Sequence, residues 1–367
     1  MKVSCTQENL AKGLGIVGRS VGIRSTLPVL NNILLKTEKG GLKLSATDLE
    51  IGIHTWIGAK VDKEGAITCP ARLLLDYINT NNDKKINLEV KDLTLHLESE
   101  HYKANIKGIE ASEFPLIPEV KKDVEIEILT QDLSRAISKT IIACALDESR
   151  PVLSGVFVYG GGDKLKMVAT DSYRLAEQTF PLTKKITSEI SLIIPQRAMA
   201  EISRILSDGA EKVKIYPGEN QVEFSIDKTS VVSRLIEGAF PDYQQIIPKT
   251  TQTKFKTNAA EFANAIKMAS LFARESANNI KLKIEKNKVE VLAVSPQVGD
   301  NVSDVTGEIV GEEIEIAFNA KFIMDVLSVI MSEKINLELS GPLAPAMLRA
   351  EKDLNYLYVI MPLRIDE

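Results

Sequence analysis

Along most of the chain, apolar and polar residues alternate one for one in short runs. Leu93-Thr94-Leu95-His96-Leu97, Val222-Glu223-Phe224-Ser225-Ile226 and Lys281-Leu282-Lys283-Ile284-Glu285 are examples. Side chains on a strand point to its two faces in turn, so each run predicts a strand with one face buried. Six stretches break the rhythm. In the first, Leu10, Leu14, Val17 and Val21 recur at three- and four-residue spacing, the stripe of a helix that packs by one face, and Lys12 and Arg19 lie off it. Helices are predicted over about 7–24 (with the turn that follows), 70–80, 131–150, 195–208, 259–275 and 319–334.

The pattern repeats three times. Lys2–Thr6 leads into Gln7-Glu8-Asn9-Leu10, Val124–Leu129 into Thr130-Gln131-Asp132-Leu133, and Thr253–Thr257 into Asn258-Ala259-Ala260-Glu261-Phe262. Each is a strand, a polar cap and a helix start. The matched apolar residues Leu10, Leu133 and Phe262 are 123 and 129 residues apart. A second helix start recurs at Pro70, Pro195 and Asn319, spaced by 125 and 124 residues. Proline suits a first helical turn, where its missing N–H costs nothing, and asparagine suits a cap. Thr47-Asp48 and Thr170-Asp171 end equivalent strands in copies one and two, whereas copy three diverges to Ala293-Val294-Ser295-Pro296. Phe114-Pro115 and Phe240-Pro241 lie in the connections between copies, 126 apart. Each copy thus holds two helices and about eight strands in roughly 120 residues, an α+β unit long enough for its own core. The expected domains are 1–119, 120–247 and 248–367.

Composition adds little to this. Apolar content of 44% and charged content of 26% are those of a soluble globular protein. No run of 18 apolar residues occurs, and Met1–Thr6 enters strand pattern without the apolar segment of a signal peptide. Three widely spaced cysteines (Cys5, Cys69, Cys144) suit a reducing cytoplasm and give no zinc spacing. The net charge of −5 argues against nucleic acid only if the charge is evenly spread. The six helical windows carry a small positive excess, with Lys12, Arg135, Lys139 and Lys267 mid-helix and Glu8, Asp132 and Glu261 in first turns, where the helix dipole favours them.

Catalytic chemistry is hard to find. His54, His96 and His101 are the only histidines, and none has a metal-like partner spacing. Gly160-Gly161-Gly162-Asp163 lacks the Lys-Ser/Thr and helix of a phosphate loop and is expected to be a hairpin turn. Asp48 and Asp171 fall in different copies and are expected to form turns rather than a carboxylate pair.

Four segments, in order, resemble the bacterial sliding clamp family, the beta subunit of DNA polymerase III. They are Leu27-Pro28-Val29-Leu30-Asn31-Asn32-Ile33-Leu34-Leu35, Ala169-Thr170-Asp171-Ser172-Tyr173-Arg174-Leu175-Ala176, Gly238-Ala239-Phe240-Pro241-Asp242-Tyr243 and Tyr358-Val359-Ile360-Met361-Pro362-Leu363-Arg364-Ile365. The resemblance implies a crescent of three clamp domains that closes, as a head-to-tail homodimer, into a ring around double-stranded DNA. It implies no catalysis, cofactor or metal, and a ring opened by a clamp loader that tethers the polymerase III alpha subunit and other polymerases. It also implies a pocket for short Gln/Leu/Phe peptides. Copy two and its linker would supply Leu153, Thr170, Tyr173, Arg174, Leu175, Pro241 and Ile246. Copy three would supply Asn319, Phe322, Leu343, Val359, Ile360, Met361, Pro362, Leu363 and Arg364. Arg174 is expected to orient the peptide. For DNA, Arg24, Arg72 and Arg197 match family positions facing the hole, to which the helix reading adds Lys12, Arg135, Lys139 and Lys267. The chain departs from the family at Ser172-Tyr173, often Gly-His, at Gln245, often Arg, and in running on to Asp366-Glu367, which bears on peptide preference. The rival reading is a tandem-domain scaffold that binds proteins without encircling DNA.

Overall fold

The repeat seen in the sequence recurs as structure in a computed structural model, which describes residues 1–367 except 23–26, 39, 148, 207–208 and 365–367. Six α-helices occur among the described residues: α1 (Gln7–Val17), α2 (Ala71–Thr80), α3 (Thr130–Thr140), α4 (Gln196–Leu206), α5 (Ala259–Ala273) and α6 (Ala320–Val329). Leu10, Leu133 and Phe262, the matched positions on α1, α3 and α5, are each fully buried. Side chains cap three of the helices, whereas in copy two Thr130 itself opens α3. Thr6 Oγ1 accepts from Asn9 N at 3.3 Å, Asn258 Oδ1 from Ala260 N and Glu261 N at 2.9 and 3.1 Å, and Asn319 Oδ1 from Lys321 N at 2.9 Å. Pro70 and Pro195 stand one residue before their helices, each closing a strand.

Helices α1 and α3 end well short of their predicted windows. After Val17 the chain tightens into the 3₁₀ turn Gly18–Ser20, where Ser20 Oγ bonds Val17 O and Ala46 O at 3.0 Å each. After Thr140, whose hydroxyl bonds Ala136 O at 2.7 Å, Ile141–Ala143 forms another 3₁₀ turn. Ala143 and Cys144 are buried there, so apolar residues continue the helical spacing after the helix has stopped.

The chain divides into two compact units, and the division runs through the second copy. One unit is Met1–Gln131 with Ala200–Leu235; the other is Asp132–Met199 with Ile236–Glu367. The reason is hydrogen bonding across copies. In the first unit an eight-stranded sheet continues from copy one into copy two where Ile51–Ile57 pairs antiparallel with Thr229–Arg234. In the second unit a seven-stranded sheet continues from copy two into copy three where Arg174–Pro195 pairs with Tyr356–Ile360. A five-stranded sheet completes the first unit and a four-stranded sheet the second.

Gly160-Gly161-Gly162-Asp163 is not a hairpin turn. It lies inside the long strand Gly155–Thr170, where the register against Arg174–Pro195 shifts twice, at Gly160/Gly162 and Gly162/Lys164. Gly160 and Gly162 have φ of 130° and 66°, so glycine here serves bulges. The chain reverses at Asp171–Tyr173.

Candidate functional site

The reversal at Asp171–Tyr173 is built by two side chains. Thr170 Oγ1 donates to Arg174 O at 2.6 Å and accepts from Ser172 N at 3.1 Å; Asp171 Oδ1 accepts from Tyr173 N and Arg174 N at 2.9 and 3.0 Å. Ser172 is held at φ 78°. Copy one contains the same device. Thr47 Oγ1 bonds Ile51 O and Leu49 N at 3.0 Å each, Asp48 Oδ1 accepts from Glu50 N and Ile51 N at 3.0 and 2.8 Å, and Leu49 has φ 78°. Asp48 and Asp171 are turn formers, as expected from the repeat.

What differs is the residue that follows. Arg174 is 7% exposed, and its Nε donates to Asp171 Oδ2 at 3.0 Å while Nη1 donates to Asp325 on α6 and to Tyr358 Oη at 3.5 Å. Its guanidinium lies 4.4 Å from the ring centre of Phe322, which stacks in turn on Tyr173 at 6.5 Å and 25°. Burial works against the charge, but Tyr358, Asp325 and Asp171 together raise the pKa further. Asp171 and Asp325 hold Nε and Nη1, so the guanidinium fastens the turn to α6 and lies against Phe322.

Around this frame the structure gathers most of the expected pocket residues. Thr170, Leu175 and Val359 stand opposite one another on one buried face of the sheet, and Ile360 is buried with Arg174 on the other face. Leu153 is buried on the 3₁₀ turn Pro151–Leu153. Met361 N donates to Tyr173 O, and Leu363 N to Ala317 O, at 2.8 Å each, so Met361, Pro362 and Leu363, all half-buried, run beside the turn and the strand leading to Asn319. Pro241, Ile246, Tyr173, Leu343 and Arg364 are exposed. Leu343 sits in the turn before Ala346, which pairs with Ile360. The second unit thus brings together buried apolar strand residues (Leu175, Val359) and exposed aromatic and apolar ones (Tyr173, Leu343). Asp325, a carboxylate 151 residues from Arg174, had no local sequence signal.

The expected DNA contacts separate into two groups. Lys12 on α1, Arg72 on α2, Arg135 on α3, Arg197 on α4 and Lys267 on α5 are exposed. Lys139 is not: it is 5% exposed, bonded to Asp353, and lies 4.9 Å from the ring centre of Tyr356, whose hydroxyl donates to Lys139 O at 3.0 Å. Burial removes it from any phosphate-binding face. Arg24 lies outside the described residues, as do Ile365, Asp366 and Glu367.

The histidines have structural partners. His101 Nδ1 lies 2.7 Å from Asp83 Oδ1, and hydrogen bonds from His101 hold that carboxyl down at about 2. With Glu100 these residues form the single group of metal-ligand type found among the described residues, and Asp83 in it is committed to His101. His96 bonds Asn105. His54 is pushed down to about 4, by burial first and Lys43 second. The three cysteines are buried and their thiols pushed up to about 12, which leaves no nucleophile there.

Family models of the DNA polymerase III beta subunit match the chain throughout: the N-terminal domain at residues 1–118, the central domain at 127–242 and the C-terminal domain at 244–364. A beta sliding clamp from Staphylococcus epidermidis is 32% identical over 357 residues, covering 94% of each chain. Among solved structures, the DNA polymerase sliding clamp from Bacillus subtilis superposes with a TM-score of 0.96 at 29% identity, and a DNA polymerase III beta subunit from Thermotoga maritima with 0.94 at 28%, both over 100% of each chain.

Proposed function

The chain belongs to the DNA polymerase III beta subunit family and is a non-catalytic DNA sliding clamp, and from that premise we propose how it works: two copies close head to tail around duplex DNA and hold a polymerase there through the recess beside Arg174. The observation that carries this reading is the clamp fold present in three tandem copies over the full chain.

Head-to-tail closure joins different surfaces of the two partners. Suitable faces are present in each unit. Leu73 and Tyr102 are 55% and 46% exposed in the first unit; Met268, Leu271 and Val302 are 43%, 47% and 53% exposed in the second. Helix α5 buries Phe262, Ile266 and Ala269 on one side and still exposes Met268 and Leu271, more apolar surface than a solvated helix needs. The five-stranded sheet ends on Lys103–Lys107 and the four-stranded sheet on Gly299–Val305, edges that pairing with a second copy would cover.

Enclosure retains DNA without tight contacts. With a net charge of −5, the clamp touches phosphates through a few exposed cations (Lys12, Arg72, Arg135, Arg197, Lys267 and, by the family's pattern, Arg24) and reads no bases. A polymerase bound by peptide to the recess rebinds from a high effective concentration instead of diffusing away. Loading by a clamp-loader ATPase and residence in the cytoplasm complete the reading. No described helix is long and apolar enough to cross a membrane.

The test is retention on DNA. Clamp loaded on a nicked circle is expected to stay through a gel-filtration column and to leave once the circle is linearised. Retention that ignores DNA ends would favour the scaffold reading.

A further inference from the structure

The linker 237–250 carries two of the residues assigned to the recess wall, Pro241 and Ile246, and both are exposed. One residue in that linker is buried: Tyr243, 6% exposed, with Phe240, Ile247 and Pro248 half-buried. Tyr243 is the buried link between the two wall residues, flanked by Phe240 and Ile247, which pack against the same cluster. Ile246 N donates to Tyr243 O at 3.1 Å, closing the turn that presents Ile246.

Tyr243 is held at its far end. Tyr243 Oη donates to Glu177, and Tyr159 Oη lies 2.6 Å from Tyr243 Oη, so with Tyr243 spending its proton on Glu177 the proton between the tyrosines comes from Tyr159. Lys166 Nζ donates to Glu177 Oε1 at 2.8 Å. Tyr243 belongs to one buried apolar cluster with Val168, Leu175, Met347, Leu357 and Val359, and Phe240 stacks on Phe157 at 4.8 Å and 12°. Leu175 and Val359 are the floor of the recess, so Tyr243 fixes wall to floor. In copy one, the positions 123 residues before Tyr159, Lys166 and Glu177 are Lys36, Lys43 and His54, and the position 126 before Tyr243 is Ile117. That arrangement can form no such chain of donors. The network is thus particular to the second unit, where the recess lies.

We propose that Tyr243 is a positioning residue of the partner-peptide site, its hydroxyl bond to Glu177 setting the distance of Pro241 and Ile246 from the Leu175–Val359 floor. This rests on the reading above that the recess takes partner peptides. Apolar packing alone would leave the linker free to slide along the sheet. A directional bond to a carboxylate, itself fixed by Lys166, removes that freedom before the peptide arrives.

The experiment titrates a fluorescein-labelled Gln/Leu/Phe peptide with the full chain at 25 °C and follows anisotropy and dissociation rate. Tyr243→Phe, which keeps the buried ring, is expected to weaken binding about tenfold, mainly through faster dissociation, as loss of a hydrogen bond to a charged group would. Glu177→Leu is expected to match it, and Glu177→Gln, whose one oxygen replaces two acceptors and leaves an NH2 facing a donor, to fall between wild type and Glu177→Leu. Tyr216→Phe removes a like bond, to Glu125 at 2.9 Å, in the first unit and is expected to leave binding within twofold. A merely structural role would lower the melting temperature of Tyr243→Phe and Tyr216→Phe alike without separating their affinities. Wild type that binds while Tyr243→Phe binds equally well overturns the positioning role alone. Wild type that fails to bind overturns the peptide site and the role with it. If Tyr243→Phe does not fold, Glu177→Leu carries the same decision.

Discussion

The junction between copies one and two and the junction between copies two and three are built on the same register and filled by different chemistry. Gly52 faces Val232 across the first, as Leu175 faces Val359 across the second; Thr55 faces Thr229 as Gln178 faces Tyr356. On the linker side the first junction lines a cavity of about 740 Å³ with Lys36, Lys43, His54, Trp56, Lys122 and Glu223, where the second packs Phe157, Tyr159, Tyr243 and Met347. On the helix side the first leaves a recess of about 630 Å³ beside Gly13, Ile16 and Thr229, where the second holds Ala136, Lys139 and Tyr356. The lesson is that backbone pairing makes the junction, and side-chain volume and charge decide whether it fills with aromatic packing or keeps a polar-lined cavity.

The largest expected effect tests the tie between the Asp171–Tyr173 turn and α6. Arg174→Ala removes a buried cation from Asp171 and Asp325 and is expected to destabilise the second unit by about 3–5 kcal/mol in urea denaturation. A loss under 1 kcal/mol would mean that the pairs are dispensable.

Next comes acid. His54 titrates at about 4 in the fold against 6.5 ordinarily, because burial and Lys43 disfavour its charge. A lowered folded pKa gives stability that is present above pH 6.5 and lost as pH falls towards 4. The loss is up to about 3 kcal/mol, less what solvent screening removes from a half-buried ring. Trp56, the one tryptophan, stands edge-on to His54 at 5.4 Å and reports the first unit by fluorescence. His54→Leu is expected to flatten the pH dependence of that signal between 6.5 and 4; an unchanged slope would assign it to other groups.

Lys139→Met probes the helix side of the second junction. Orphaning Asp353 is expected to cost about 1–3 kcal/mol while DNA retention stays at the wild-type level. Retention that falls as stability holds would put Lys139 back among the DNA contacts. The smallest effect on stability belongs to Lys12→Glu with Lys267→Glu, expected to stay within about 0.5 kcal/mol. The same pair is expected to shorten residence on nicked circles at low salt, with the difference shrinking as salt screens it.

How far the sequence carried the reading depends on the range of the interaction. The threefold repeat, the caps at Thr6, Asn258 and Asn319, and the Thr-Asp turns were legible, because period, capping and turn chemistry act within a few residues. Helix ends were not: Ile141 to Cys144 keep a helical spacing of apolar residues although the helix has already closed at Thr140. Gly160 to Gly162 read as a turn since glycines mark turns and bulges alike, and only the partner strand tells them apart. Lys139 read as a solvated cation since its counter-charge, Asp353, is 214 residues away.

Local pattern by itself determined the strands, the helix starts and the tripling of one unit, because these follow from periodicity and from backbone groups satisfied close by. Tertiary structure alone decided that Arg174 pairs with two carboxylates, that Lys139 is buried, and that Tyr243 ties linker to sheet. Each of these joins residues from distant parts of the chain, and burial sets their charge and hydrogen bonding only once the sheets have brought them together.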